Sequence, residues 1–141
     1  MKKIISLIFI LLACFMVSGC GKNMDTVVIT CKSEVNGENP ATVNYEKYVV
    51  KYNNIVEFEK YSVLSYTNDY LKKVSLDQII KIYEDDNDYV VEKVDSNTIK
   101  NTYVDPVNTF EGIDSDDMVE LIRTTMEENP FSLYSYTCEI E

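Results

Sequence analysis

The chain has 141 residues, with 13 Lys and Arg against 24 Asp and Glu, no His, no Trp and a formal net charge of −11. That length provides one domain with its own core once a leader is removed. The acidic balance argues against nucleic acid, whose phosphates must be neutralised by the protein. Without His, the Ser-His-Asp and Cys-His constellations and the His-ligated zinc and copper sites are excluded together.

Met1-Lys2-Lys3 precedes an apolar run, Ile4 to Val17, broken only by Ser6 and ending at Ser18-Gly19-Cys20. A positive start, a short apolar core and small residues before the cut define a secretory signal. The Cys placed directly after them matches a bacterial lipobox, Val17-Ser18-Gly19-Cys20. The run is short for a membrane span of about 20 residues. The expectation is cleavage between Gly19 and Cys20, a diacylglyceryl thioether on Cys20, and attachment to the extracytoplasmic face of the cell membrane. Two acyl chains hold stably where one holds only marginally. Residues 1–19 are then the signal peptide, 20–25 the lipidated Cys and a short tether, and 26–141 a single domain. Losing Lys2 and Lys3 with the signal leaves a net charge of about −13, which disfavours lying flat on an anionic leaflet. Five tether residues reach at most about 17 Å, so partners are met near the bilayer, on the side expected to face away from Cys20.

Of four Cys, Cys14 leaves with the signal and Cys20 takes the lipid, so Cys31 and Cys138 remain. An even remainder in an oxidising compartment predicts one disulfide. Closing a loop of about 107 residues is worth about 4–5 kcal/mol in the chain-entropy model. No Cys-x-x-Cys spacing favours a redox-active or metal-binding pair.

In chain order, Thr26 to Glu34 alternates as a strand, with Val27, Ile29 and Cys31 on one face. Asn36-Gly37 and Pro40 mark a turn before a Val- and Tyr-rich strand, Ala41 to Tyr52. A tight turn at Asn53-Asn54 returns the chain through Ile55 to Tyr66. That turn pairs Val49 with Phe58, Tyr45 with Ser62 and Val43 with Leu64, and sets Lys47 against Lys60, an unfavourable contact. Asn68-Asp69 reads as a second turn before a short strand, Tyr70 to Val74, or as an early helix start. Ser75-Leu76-Asp77-Gln78 is a capping-box pattern for a helix from Leu76 to about Asp86. Tyr89 to Val94 and Thr98 to Asp105 flank an Asp95-Ser96-Asn97 turn. A helix capped by Asp114 or Ser115 runs through Glu128 and stops at Asn129-Pro130. A last strand, Leu133 to Ile140, carries Tyr134, Tyr136, Cys138 and Ile140 on one face. The predicted fold is α+β, an antiparallel sheet of five to six strands with two helices packed on one face.

Candidate sites are few. Glu84-Asp85-Asp86-Asn87-Asp88 is the sharpest acidic cluster, with Asp85, Asp86 and Asp88 as metal candidates. Counted from Asp85, an EF-type loop would need Gly at Val90 and Glu at Ser96, so a solvated turn is the better reading. Asp114-Ser115-Asp116-Asp117 is accounted for by capping. Glu57 and Glu59 share one strand face, but glycosidase chemistry demands a buried pair about 5–9.5 Å apart, and alternation puts them away from the apolar side. Among the 11 Tyr, Tyr48 and Tyr52 fall opposite Val49, and Tyr70, Tyr89 and Tyr103 are scattered through sheet regions. Tyr suits both recognition surfaces and half-buried sheets.

The Cys20 lipobox, an early strand with Cys31, the hairpin around Tyr52-Asn53-Asn54 and a terminal Tyr136-Thr137-Cys138 strand together resemble the small YehR-like bacterial lipoproteins. That resemblance implies a small lipid-anchored domain and carries over no catalytic residues. The functional expectation is a non-enzymatic, lipid-anchored extracytoplasmic lipoprotein, without cofactor. It serves as an envelope or partner-binding module, and its acidic, Tyr-bearing sheet face meets a cationic protein or peptide. A ligand- or metal-binding lipoprotein associated with a transporter is the alternative, and a small envelope hydrolase a third reading.

Overall fold

Among the described residues, alternating β-branched and aromatic residues build six strands: β1 (Val27–Val35), β2 (Ala41–Lys51), β3 (Asn54–Ser65), β4 (Tyr89–Lys93), β5 (Thr98–Tyr103) and β6 (Thr137–Ile140). In this computed structural model, which describes residues 26–35, 37–129 and 134–141, they form one antiparallel sheet in the order β4-β5-β3-β2-β1-β6. The lipobox, Cys20 and the tether up to residue 25 lie outside the described residues, as do Asn36 of the first turn and Leu133 at the expected start of the last strand. The fold is α+β, as composition and periodicity predict.

The central hairpin departs from the expected register. Its turn is Tyr52-Asn53, both in the left-handed region at φ 53° and 59°, with Lys51 paired to Asn54. Two consecutive positive-φ residues give the turn whose twist matches the flanking strands. The Asn54 side-chain amide donates to the Tyr52 carbonyl at 2.8 Å, and the Asn53 amide donates to the Asp116 carbonyl at 2.5 Å. The expected turn at Asn53-Asn54 therefore sits one residue too late. Val50 then pairs with Ile55 but Val49 with Glu57, so a bulge at Val56 moves the ladder one step back. The result replaces the expected pairs by Val49–Glu57, Tyr45–Tyr61 and Val43–Val63, one residue off throughout. Because strand side chains alternate, that single step exchanges the partners across the faces. It also removes the Lys47–Lys60 repulsion, since Lys47 now faces Glu59 and Lys60 faces Glu46.

Among the described residues three helices, rather than two, pack on one face of the sheet: α1 (Asn68–Leu71), α2 (Leu76–Glu84) and α3 (Met118–Glu128). Thr67 accepts from the Tyr70 amide and starts α1, so no strand forms over Tyr70 to Val74. The Ser75 and Gln78 capping box of α2 forms in both directions. For α3 the cap is Asp117, which accepts from the Glu120 amide at 3.0 Å, and not Asp114 or Ser115. Ser115 is occupied instead in receiving the Asp117 amide at 3.2 Å, which delays the helix.

The apolar interior divides in two. One cluster joins Ile29, Cys31, Tyr48 and Val50 of the sheet to Phe110, Met118 and Ile122. The other joins Leu64 and Ile99 to Tyr66, Leu76 and Ile79. Among the described residues, no helix is long and apolar enough to cross a membrane.

Cys31 and Cys138 face each other across β1 and β6 and are bonded, with Cα atoms 4.0 Å apart and a sequence separation of 107. Because β6 holds only four residues against β1, its place depends heavily on this bond. Replacing both Cys31 and Cys138 by Ser is expected to cost about 4–5 kcal/mol and to lower Tm by roughly 15–25 °C, measured by thermal unfolding beside wild type with and without reductant.

Candidate functional site

The helices leave the other face of the sheet uncovered. There β2 presents Val43, Tyr45, Lys47 and Val49, β3 presents Glu57, Glu59, Tyr61 and Val63, and β5 presents Lys100 and Thr102, the register placing all of them on one side. At the centre, the Tyr45 and Tyr61 rings stack with centroids 4.7 Å apart and planes 12° from parallel. Lys100 Nζ lies 4.2 Å from the Tyr61 ring centroid and 3.1 Å from Glu59 Oε1. Burial raises the Tyr61 phenol, with the Lys100 charge opposing it. Beside the pair lies a recess of about 330 Å³ lined by Lys47, Val49, Glu57, Phe58 and Glu59. Val49 offers apolar contact area there, the Phe58 ring being turned to the other face against Tyr48, and the two carboxylates offer charge.

Glu57 and Glu59 are thus brought together, but not as a buried convergent acid pair, because Glu57 is exposed and Glu59 is held by Lys100. The tyrosines singled out by alternation lie elsewhere. Tyr48 is fully buried on the helix side, Tyr52 is exposed at the hairpin turn with Lys51 over its ring, and Tyr70 stacks on Tyr66. Tyr89 and Tyr103 contact each other at 4.8 Å. The central aromatic pair, Tyr45–Tyr61, exists only in the observed register, since the register expected from the apolar pattern sets Tyr45 against Ser62. Its sequence signal is electrostatic, since this register sets Lys47 opposite Glu59 and Glu46 opposite Lys60. The acidic cluster forms a turn: Asp85 caps α2, and Asp86 Oδ1 receives the Asp88 amide at 3.1 Å. No group of three or more Cys, Asp or Glu side chains stands close enough to share a metal ion among the described residues.

The helix-bearing face holds a second polar arrangement, between the two apolar clusters. One row crosses four strands as Ser33, Asn44, Ser62 and Asn101; the next runs through Cys31, Glu46 and Lys60. The buried Glu46 carboxylate accepts from the Tyr48 hydroxyl at 2.5 Å and pairs with Lys60 Nζ at 3.0 Å. Burial first, then the bond to Glu46, drives the Tyr48 phenol far above its ordinary value. Burial and the Glu46 charge push the Tyr136 phenol up to about 12.

Comparison of the chain with protein-family models, curated proteins and solved structures returns no match.

The buried phenols imply a pH response with a definite sign. A folded pKa above the unfolded value near 10 means that the native state keeps a proton the unfolded chain releases. Stability is then fully present below about pH 10 and falls as pH rises further, by about 1.4 kcal/mol per pH unit for Tyr48 alone. Urea unfolding from about pH 8 to pH 11.5 is expected to show a plateau followed by this decline. Tyr48→Phe should shallow the alkaline slope while costing about 1–2 kcal/mol at neutral pH, because Glu46 loses a buried donor.

Proposed function

We propose that the protein is a lipid-anchored extracytoplasmic lipoprotein whose uncovered sheet face holds a basic protein or peptide. The observation that carries this reading is the stacked Tyr45–Tyr61 pair beside the Glu57/Glu59 recess. A Lys or Arg side chain of the partner lays its methylene stem along Val49 and brings its charge to Glu57, the carboxylate not already engaged by Lys100. The Tyr pair offers apolar area beside it. Lys47 and Lys100 on the same face repel partners docked out of register. The remaining acidic charge, concentrated on helices and loops, draws a basic partner from a distance.

The lipobox at Val17-Ser18-Gly19-Cys20 supports the anchoring, as does the resemblance to YehR-like lipoproteins. Val28 pairs with Val49 and Thr30 with Lys47, so the recess belongs to the end of the sheet where β1 begins. The contact falls at that end of the open face. No cofactor enters this reading.

Fluorescence anisotropy of a labelled Lys/Arg-rich nonapeptide, titrated with the full chain in phosphatidylcholine vesicles, tests it. Saturable binding should weaken several-fold as ionic strength rises from about 0.05 to 0.3 M, since screening shortens the reach of surface charge. Glu57→Gln combined with Glu59→Gln should cost about three- to tenfold in affinity, and Asp85→Asn with Asp86→Asn should cost much less. Salt-insensitive binding, or equal loss in both double variants, contradicts the assignment.

A further inference from the structure

Where the chain enters β4 and leaves β5, two tyrosines and two carboxylates meet around a recess. Helix α2 ends at Glu84, and the Tyr89 amide donates to the Asp86 carbonyl as the chain turns into β4. The Val104 amide donates to the Asp88 carbonyl at 3.0 Å and closes the β4–β5 ladder. Tyr89 and Tyr103 are partners across that ladder, with ring centroids 4.8 Å apart and planes at 60°. Tyr83 of α2 meets Tyr89 edge to face at 6.3 Å, which fixes the ring from the helix side. The bond to Tyr103 first, then burial, then the charges of Asp86 and Asp88 push the Tyr89 phenol up to about 12. Both rings line a recess of about 240 Å³ together with Asn87, Asp88, Val104 and Asp105. Among the described residues, no ion pair engages Asp88 or Asp105. Lys60 Nζ lies 5.7 Å from the Tyr103 ring centroid, but it is paired with Glu46 at 3.0 Å and does not line the recess.

The walls narrow the occupant. An anion is repelled by Asp88 and Asp105. A hard metal ion needs about six or more oxygens, and among the described residues no three acids stand close enough to share one. An apolar molecule would strip water from both carboxylates and return no bond. A primary ammonium is strongly hydrated, and ring faces are a poor exchange for the water on its three N–H donors. A quaternary ammonium has no N–H to satisfy, and aromatic faces attract it through the negative side of the ring quadrupole. The recess is smaller than the about 300–1,000 Å³ typical of drug-sized pockets, which suits a small group. We propose that the recess between the start of β4 and the end of β5 is a binding site for a quaternary ammonium group. Its charge is held by Asp88 and Asp105, and its methyl groups lie against the Tyr89 and Tyr103 rings. This site shares no residue with the open-face contact for a basic partner and stands or falls independently of it.

Titration of tetramethylammonium chloride into the isotopically labelled full chain in maltoside micelles, followed by NMR beside sodium chloride of equal ionic strength, tests the proposal. Saturable shifts at Asp88, Tyr89, Tyr103 and Asp105 are expected, with Kd of about 1–10 mM. Ammonium chloride should bind at least about fivefold more weakly. Choline and phosphocholine then distinguish the source. Phosphocholine binding as tightly as choline identifies a lipid headgroup, weaker phosphocholine binding identifies a free cation, and both uphold the quaternary ammonium as the ligand. Tyr103→Leu, which keeps apolar bulk and removes the ring, should weaken tetramethylammonium binding about two- to fivefold. Asp88→Asn combined with Asp105→Asn should do likewise, whereas Glu57→Gln on the open face should leave binding unchanged. Circular dichroism of each variant separates lost binding from lost fold. The wild-type comparison needs no variant: absence of saturable shifts with tetramethylammonium, or ammonium binding as tightly, overturns the proposal, as does unchanged affinity in a folded Tyr103→Leu chain.

Discussion

The register of the β2–β3 hairpin decides which side chains meet the helices and which meet solvent. Its two components are the Tyr52-Asn53 turn and the bulge at Val56, and together they set Lys47 against Glu59 and Glu46 against Lys60. Every strand outward from this pair inherits the assignment. On one side Tyr48, Glu46 and Lys60 turn toward α3 and the interior; on the other, Tyr45, Tyr61, Glu57 and Glu59 remain uncovered. A one-residue slip would bury one set and expose the other, so opposed charges and the turn conformation select the same arrangement that the apolar pattern needs.

The disulfide completes that arrangement at the far edge. Strand β6 is too short to hold its place by ladder hydrogen bonds alone, and the Cys31–Cys138 bond fixes it beside β1. The pairing keeps Cys138 close to α3, where Glu127 Oε1 accepts the Cys138 amide at 3.0 Å. Glu127 is itself held by Arg123 at 2.9 Å, and Arg123 also binds Glu120. The chain of contacts thus ties the last strand to the helix that roofs the first apolar cluster. Exposed pairs of this kind contribute little singly, and their value here is in orienting Glu127 toward the strand.

Much of the fold was legible in the residues. Alternation at Val27, Ile29 and Cys31 marks β1, the Ser75–Gln78 capping box starts α2, and Asp95-Ser96-Asn97 turns β4 into β5. Cysteine arithmetic identifies the Cys31–Cys138 pair. The hairpin register was not legible from apolar pattern alone, because Val43, Val49, Val63 and Leu64 lie on both sides and satisfy either alignment. The opposed lysines of the rejected register were the one local sign against it. The candidate face was obscured for the same reason: Tyr45 and Tyr61 become neighbours only once the bulge is counted. The polar rows depend on pairings across four strands, from Ser33 to Asn101, which no local window contains.

The central claim is that this register creates an uncovered face able to hold a basic partner. Mapping chemical-shift changes in the isotopically labelled chain, on addition of a Lys/Arg-rich nonapeptide, tests it most directly. The account predicts shifts concentrated at Tyr45, Lys47, Glu57, Glu59 and Tyr61, with α2 and α3 unmoved. Shifts centred on the acidic α2–β4 turn or on α3, with the Tyr45–Tyr61 pair silent, would contradict it.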